Sequence, residues 1–157
     1  MATRYCFILR GLPGAGKTLL ATKLVAQYDA LVFSANHYFM LDGVFRYERK
    51  LVPKAHSDCW GKFLFAVAKS TNSVVVDNSA SQLWEYEKYV RFAELHEMTI
   101  HTIEIRCDDE ATLALFHGRN IHDVPLYAVQ RMKARWERDP RAELIHSEEI
   151  LHFEVAV

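Results

Sequence analysis

Gly11-Leu12-Pro13-Gly14-Ala15-Gly16-Lys17-Thr18 fits the pattern G-x-x-x-x-G-K-[ST] without a gap. Glycines let the backbone curl until successive N–H groups point inward and form a concave anion nest. The apolar run before it, residues 5–9, reads as a strand buried on both faces. Residues 17–27 follow with Leu20, Leu24 and Val25 on one side, which suits a helix. That helix would turn its positive dipole end toward phosphates. Lys17 would reach the β- and γ-phosphates of ATP, and the Thr18 hydroxyl would ligate Mg²⁺. The bland alternative is a glycine-rich turn. From average composition, a chance match in such a chain is on the order of one in a hundred or rarer. Gly11, Pro13, Gly14, Ala15, Gly16, Lys17, Thr18 and Leu19 are therefore the expected nucleotide-binding residues.

Moving outward, residues 30–33 read as a second strand and residues 34–52 as a loop around Asp42-Gly43 with one irregular helical turn. Pro53 suits the first turn of a helix reaching Lys69. Residues 74–76 form a third strand ending at Asp77, residues 81–96 a helix, and residues 99–105 a fourth strand. Asp108, Asp109 and Glu110 favour a helix start, residues 118–125 break it, and residues 126–138 form a last helix. Residues 150–157 are a candidate closing strand. Strands alternating with helices imply βαβ units and a parallel sheet covered on both sides. No linker, repeat or low-complexity segment interrupts the chain, so residues 1–157 are expected to form one domain.

Ligands of such sheets gather at the carboxyl ends of the strands. Asp77 should emerge there beside the glycine loop, as an acid holding Mg²⁺ through its waters or as a simple turn cap. Asn78 and Ser79 continue that turn. The end of the second strand carries Ser34-Ala35-Asn36-His37-Tyr38, where a phosphotransferase places the carboxylate that takes the acceptor's proton. Asn36 cannot accept a proton usefully at neutral pH. His37 and Asp42 are nearby titratable candidates. Arg119, in the break between two helices, could neutralise charge on a transferring phosphoryl group, or simply be a solvated loop arginine. His122 in the same break could line a lid there, and alone it reads as a structural polar residue.

Arg46, Arg49, Lys50 and Lys54, interleaved with Phe45 and Tyr47, could grip an acceptor phosphate and stack a base, or could be plain surface. Arg131, Arg135 and Arg138, opposite Val129, Met132 and Trp136, read as a solvated face. His56 and Cys59 have no second pair at zinc spacing. The three cysteines follow no metal or redox spacing, and Cys6 and Cys107 read as core residues of a reducing compartment. Net charge is -1, so no general basic field advertises nucleic acid, although binding a strand end needs few phosphate contacts. No apolar stretch is long enough to span a bilayer, and strand-like sequence begins near residue 1, so a cytoplasmic protein without membrane attachment is expected.

Over residues 7–138 the chain resembles the small P-loop kinases related to the 5′-kinase domain of phage polynucleotide kinase, in a branch of short phage, bacterial and animal ATP-binding proteins. The telling segments are residues 33–39, Asp42-Gly43, Ala55-His56, Val76-Asp77-Asn78-Ser79 and Arg119-Asn120-Ile121-His122-Asp123-Val124-Pro125. The resemblance implies a three-layer α/β/α fold with a mainly parallel sheet and a small helical lid. It also implies ATP and Mg²⁺ as cofactors, with Lys17 and Thr18 serving nucleotide and metal, Asp77 in the metal network and Arg119 as a lid arginine. The implied acceptor is a hydroxyl of DNA or RNA; a small-metabolite or sugar kinase and a nucleotide-gated binding module are the alternatives. Two positions depart from the family: Asn36 stands where it carries the general-base aspartate, and Ala80 where it carries asparagine. The chain is then a natural pseudokinase, a protein whose base was replaced on purpose, or a kinase whose base has moved to His37 or Asp42.

Overall fold

The computed structural model describes residues 2–155. Strand β1 (Tyr5–Arg10) runs into the glycine loop and helix α1 (Lys17–Tyr28) leaves it. Then come β2 (Leu31–Phe33), a small hairpin of β3 (Met40–Leu41) and β4 (Val44–Phe45), and α2 (Val52–Lys69). The chain continues through β5 (Val74–Asp77), α3 (Glu87–Leu95), β6 (Thr99–Ile105), α4 (Glu110–Gly118), α5 (Leu126–Ala134) and β7 (Glu143–Ile145).

The main sheet is parallel throughout, in the order β2-β5-β1-β6-β7. β1 pairs on both edges and is covered on both faces, which is why its sequence is a continuous apolar run rather than an alternating one. The strand's period of two still decides which layer each side chain joins. Phe7, Leu9, Val75, Ile103 and Ile105 pack with Leu20 and Leu24 of α1, Phe116 of α4 and Val129 of α5. Cys6, Ile8, Val74 and Val76 pack with Phe63 of α2 and Tyr89 and Val90 of α3 on the other side. The result is three layers, α/β/α, as expected. Each fully buried leucine or phenylalanine contributes roughly 1.5–3 kcal/mol. A smaller cluster of Ala35, Phe39 and Ala55, with Phe45 against it, seats the hairpin beside the sheet's carboxyl edge.

Four expectations need correction. Residues 34–52 are not a loose loop: a 3-10 turn at Ala35–Phe39 leads into the hairpin, and another follows at Arg49–Leu51. Asp42 and Gly43 both have positive φ, 51° and 76°, the backbone that closes a two-residue hairpin. The helix expected over residues 81–96 is a 3-10 turn at Leu83–Glu85 followed by α3, and the last helix stops at Ala134 rather than residue 138. Both boundaries move because Ser81 and Glu137 bond to each other and to Arg10 instead of continuing a helix.

The closing strand lies at residues 143–145, paired with β6, and residues 147–152 form a 3-10 turn. The Lys23 ammonium gathers the carbonyls of Ile150, Leu151 and Phe153, which pins that turn to α1. Residues 156–157 of the expected strand lie outside the described residues. Cys107 is half-buried at the edge of the core, whereas Cys6 and Cys59 are fully inside.

Candidate functional site

β1, β5 and β2 end side by side, and their next residues converge. Ala15 N–H donates to the Leu12 carbonyl (3.0 Å) and Leu20 N–H to the Gly16 carbonyl (3.0 Å), so the loop curls directly into α1. Gly14 and Gly16 have φ of 82° and 110°, values that other residues rarely adopt. The Lys17 ammonium folds back over the loop and donates to the carbonyls of Gly11 (2.8 Å) and Leu12 (3.2 Å). Pro13 is half-buried, Ala15 is buried, and Leu19 stands exposed on the first turn of α1.

Asp77 is buried at the end of β5, with Oδ2 3.4 Å from the Thr18 hydroxyl. Burial raises its pKa, while Lys17, the Thr18 hydroxyl, His37 and His122 act in the opposite direction. Burial lowers the pKa of Lys17, and Asp77 restores part of it. A half-compensated carboxylate beside a hydroxyl is a site that gains by taking a hard cation. Among the described residues no three His, Cys, Asp or Glu side chains cluster at metal-binding distance. Thr18 and Asp77 therefore suit Mg²⁺, which keeps waters and takes its remaining ligands from phosphates, rather than a metal caged by protein alone.

The next residues brace the site. Ser79 carbonyl accepts from Gly11 N–H (3.2 Å), tying the end of β5 to the glycine loop. Asn78 Oδ1 accepts from Ala35 N–H (2.9 Å), tying it to the 3-10 turn that carries Asn36. Asn36 is exposed at that turn, its N–H held by Ser34 Oγ (3.2 Å). Asp42 is at the hairpin tip, and the side chains whose charges act on Asp77 are Lys17, His37 and His122.

Arg119 caps α4 and is exposed, its guanidinium carbon 5.2 Å from the centre of the Phe116 ring. Phe116 is also where α4 touches the loop: a β-carbon on Gly14 would lie 1.8 Å from its carbonyl oxygen. The segment between α4 and α5 then reaches the hairpin. Asn120 bridges its own loop, donating to the Val124 carbonyl (3.1 Å) and accepting from His122 N–H (3.0 Å). The His122 ring lies 4.2 Å from the Phe45 ring, so lid and hairpin meet.

The sequence reading missed Arg10. It follows a wholly apolar run yet is fully buried. Its guanidinium donates to Glu104 (2.7 Å) and to the carbonyls of Ala80 (2.8 Å), Ser81 (3.1 Å) and Glu137 (2.6 Å), between the rings of Tyr86 and Trp136. Arg10 and Glu104 are register partners on β1 and β6. The signal available was a charge ending a buried strand one residue before the loop. Arg135 is also less free than expected, donating to Ser81 Oγ (3.3 Å), while Arg131 lies over Tyr127 at the surface.

Residues 7–138 match the family described as AAA domain. The chain belongs to that family. Its fold is that of kinase-like P-loop members: a gluconokinase from Sinorhizobium meliloti 1021 superimposes with a TM-score of 0.66 at 14% identity, covering 97% of this chain and 90% of that one. A chain of the Pnkp1/Rnl/Hen1 RNA repair complex gives 0.67 at 14% identity, covering 86% and 44%. Kti12 of Chaetomium thermophilum, solved with ADP-AlF3, gives 0.60 at 12%, covering 94% and 95%. In sequence, this AAA domain is 27% identical over 144 residues to human NEDD4-binding protein 2 (Homo sapiens). That match takes in 91% of this chain but only 8% of the relative's length. Family membership implies a bound nucleotide. No helix among the described residues is long and apolar enough to cross a membrane.

Proposed function

We propose that this AAA domain binds ATP with Mg²⁺ in the 11–18 loop and moves the γ-phosphate to a hydroxyl of DNA or RNA. A 5′-hydroxyl is the default acceptor, and a modified-base hydroxyl in DNA is the variant. The observation that carries the reading is the meeting of Lys17, Thr18 and Asp77 at the carboxyl ends of neighbouring strands. Lys17 neutralises the β- and γ-phosphates, leaving the carbonyls of Gly11 and Leu12 when they arrive. Thr18 and Asp77 hold the metal, which when bound offsets charge on the phosphate oxygens. Arg119 swings from Phe116 onto the transferring group, and Asn36 orients the acceptor hydroxyl, since positioning supplies much of the catalysis in this chemistry.

Support for a nucleic-acid acceptor is local. Arg46, Arg49, Lys50 and Lys54 are exposed around the hairpin, and Tyr47 presents an exposed ring 5.2 Å from Phe39. Such a surface suits a short strand end: a few phosphates and one stacked base. A second reading, a nucleotide-gated binding module, is favoured by Asn36 itself.

The deciding experiment is transfer of labelled γ-phosphate from ATP–Mg²⁺ to 5′-hydroxyl DNA and RNA, hydroxymethylated DNA, nucleosides and sugars. Label on nucleic acid is the expected result. Label only on a sugar would replace the acceptor class, and ATP binding with no label anywhere would favour the binding module.

A further inference from the structure

We propose that His122, on the loop between α4 and α5, takes the proton of the acceptor hydroxyl and so fills the role that Asn36 cannot. This rests on the phosphoryl-transfer reading. The family position for that role is exposed and carries an amide, and Asp42 stands at the hairpin tip on a positive-φ backbone. His122 differs from both in being half-buried and fixed. Its ring lies on Phe45 (4.2 Å), and its N–H is held by Asn120, whose amide also bonds Val124. Phe45 packs in turn on Phe39, the last residue of the turn that holds Asn36. The lid imidazole is thus seated against the acceptor-side hairpin.

Two charges of the phosphate site act on it. The charged groups acting on it are Lys17 from α1 and Asp77 from β5; the hairpin gives it only an aromatic ring. It makes no hydrogen bond to Thr18 or Asp77 among the described residues. Burial first, and then the Lys17 charge, lower its pKa below the ordinary histidine value, which keeps the ring neutral and able to accept a proton at neutral pH. His37 also acts on Asp77 but is exposed, and none of the ring contacts or side-chain hydrogen bonds among the described residues involves it.

The step balances simply. The acceptor oxygen bonds to the γ-phosphorus as its proton passes to the free imidazole nitrogen. The bond from the γ-phosphorus to the β,γ-bridging oxygen breaks, and ADP leaves with that electron pair. The imidazolium then returns its proton to water.

The test is single-turnover transfer from ATP–Mg²⁺ to 5′-hydroxyl DNA and RNA oligonucleotides, followed against pH. Three proteins are compared: the chain itself, His122→Gln, and His122→Gln combined with Asn36→Asp. For the unaltered chain the rate should fall on the acid side with a midpoint below the ordinary histidine value. His122→Gln should lose transfer by roughly 10²–10⁴-fold, the usual worth of a general base, while ATP affinity is kept. The double variant should recover transfer with its acid limb moved into the carboxylate range. A His122→Gln protein that keeps both rate and acid limb would overturn the proposal and leave phosphoryl transfer standing. A loss of rate matched by an equal loss of ATP affinity would overturn it too, making His122 a phosphate contact. Absence of transfer to any acceptor in all three proteins, with ATP still bound, would remove the underlying reading as well.

Discussion

Thr18 Oγ1 stands 3.4 Å from Asp77 Oδ2, so the first turn of α1 and the end of β5 offer a hydroxyl and a carboxylate to one point. A cation there would offset the burial that raises the Asp77 pKa. Asp77→Asn should therefore leave metal-free ATP binding nearly unchanged while losing about tenfold, or about 1.4 kcal/mol, of the tightening that Mg²⁺ brings. Calorimetric titration with and without Mg²⁺ measures this. An unchanged Mg²⁺ effect would take Asp77 out of the metal site.

Gly14 and Gly43 both have positive φ, 82° and 76°, but differ in surroundings. An added β-carbon on Gly14 would strike the Phe116 carbonyl, whereas at Gly43 nothing lies within 4 Å. Alanine at either position takes on left-handed strain on the order of 1–3 kcal/mol. Gly14→Ala should cost clearly more than Gly43→Ala in urea unfolding, because α4 must also shift. Equal midpoints would mean that α4 does not rest on the loop.

Arg10 joins β1, β6, the turn after β5 and the segment after α5 through one guanidinium. Removing it leaves Glu104 without its ion-pair partner and the Ala80 and Glu137 carbonyls without a donor. Arg10→Ala should destabilise by about 3–5 kcal/mol. Arg10→Lys should also be costly, since an ammonium cannot reproduce the planar fork. Thermal unfolding of both variants tests this, and a Lys variant as stable as the parent would contradict it.

Asp139 ties the same region. Burial alone would raise its pKa, but Arg141 and the Tyr86 hydroxyl outweigh that and hold it at about 2. A value depressed by folding stabilises above the ordinary carboxylate pKa, near 3.9, and that stability is lost as pH falls toward 2. Roughly 2 kcal/mol is at stake. Acid unfolding should accordingly flatten between pH 4 and 2 in Asp139→Asn, with stability at neutral pH lower by a similar amount.

Legibility in the sequence followed the range of the interactions. The glycine loop is contiguous, and β1, β5 and β6 are runs whose composition alone demands burial, so the layers and the Lys17–Asp77 meeting point could be read directly. The hairpin could not, because strands of two residues carry no period; only Asp42-Gly43 hinted at it. Arg10 was opaque for another reason. Its partners lie 70 to 127 residues away, and nothing local says that a strand-end arginine turns inward. The same distant bonds shortened the helices expected over residues 81–96 and 126–138. Ala80, where the resemblance implies asparagine, has φ of 54° and gives its carbonyl to Arg10, so that position sits in a strained turn.

The most direct measurement is calorimetric titration of ATP–Mg²⁺ into the chain and into Lys17→Ala, with circular dichroism to confirm that both are folded. Saturable binding by the chain and its loss in the folded Lys17→Ala variant is the predicted result. Equal affinity in the two proteins would contradict the assignment of residues 11–18 as the phosphate site, and with it the phosphotransferase reading.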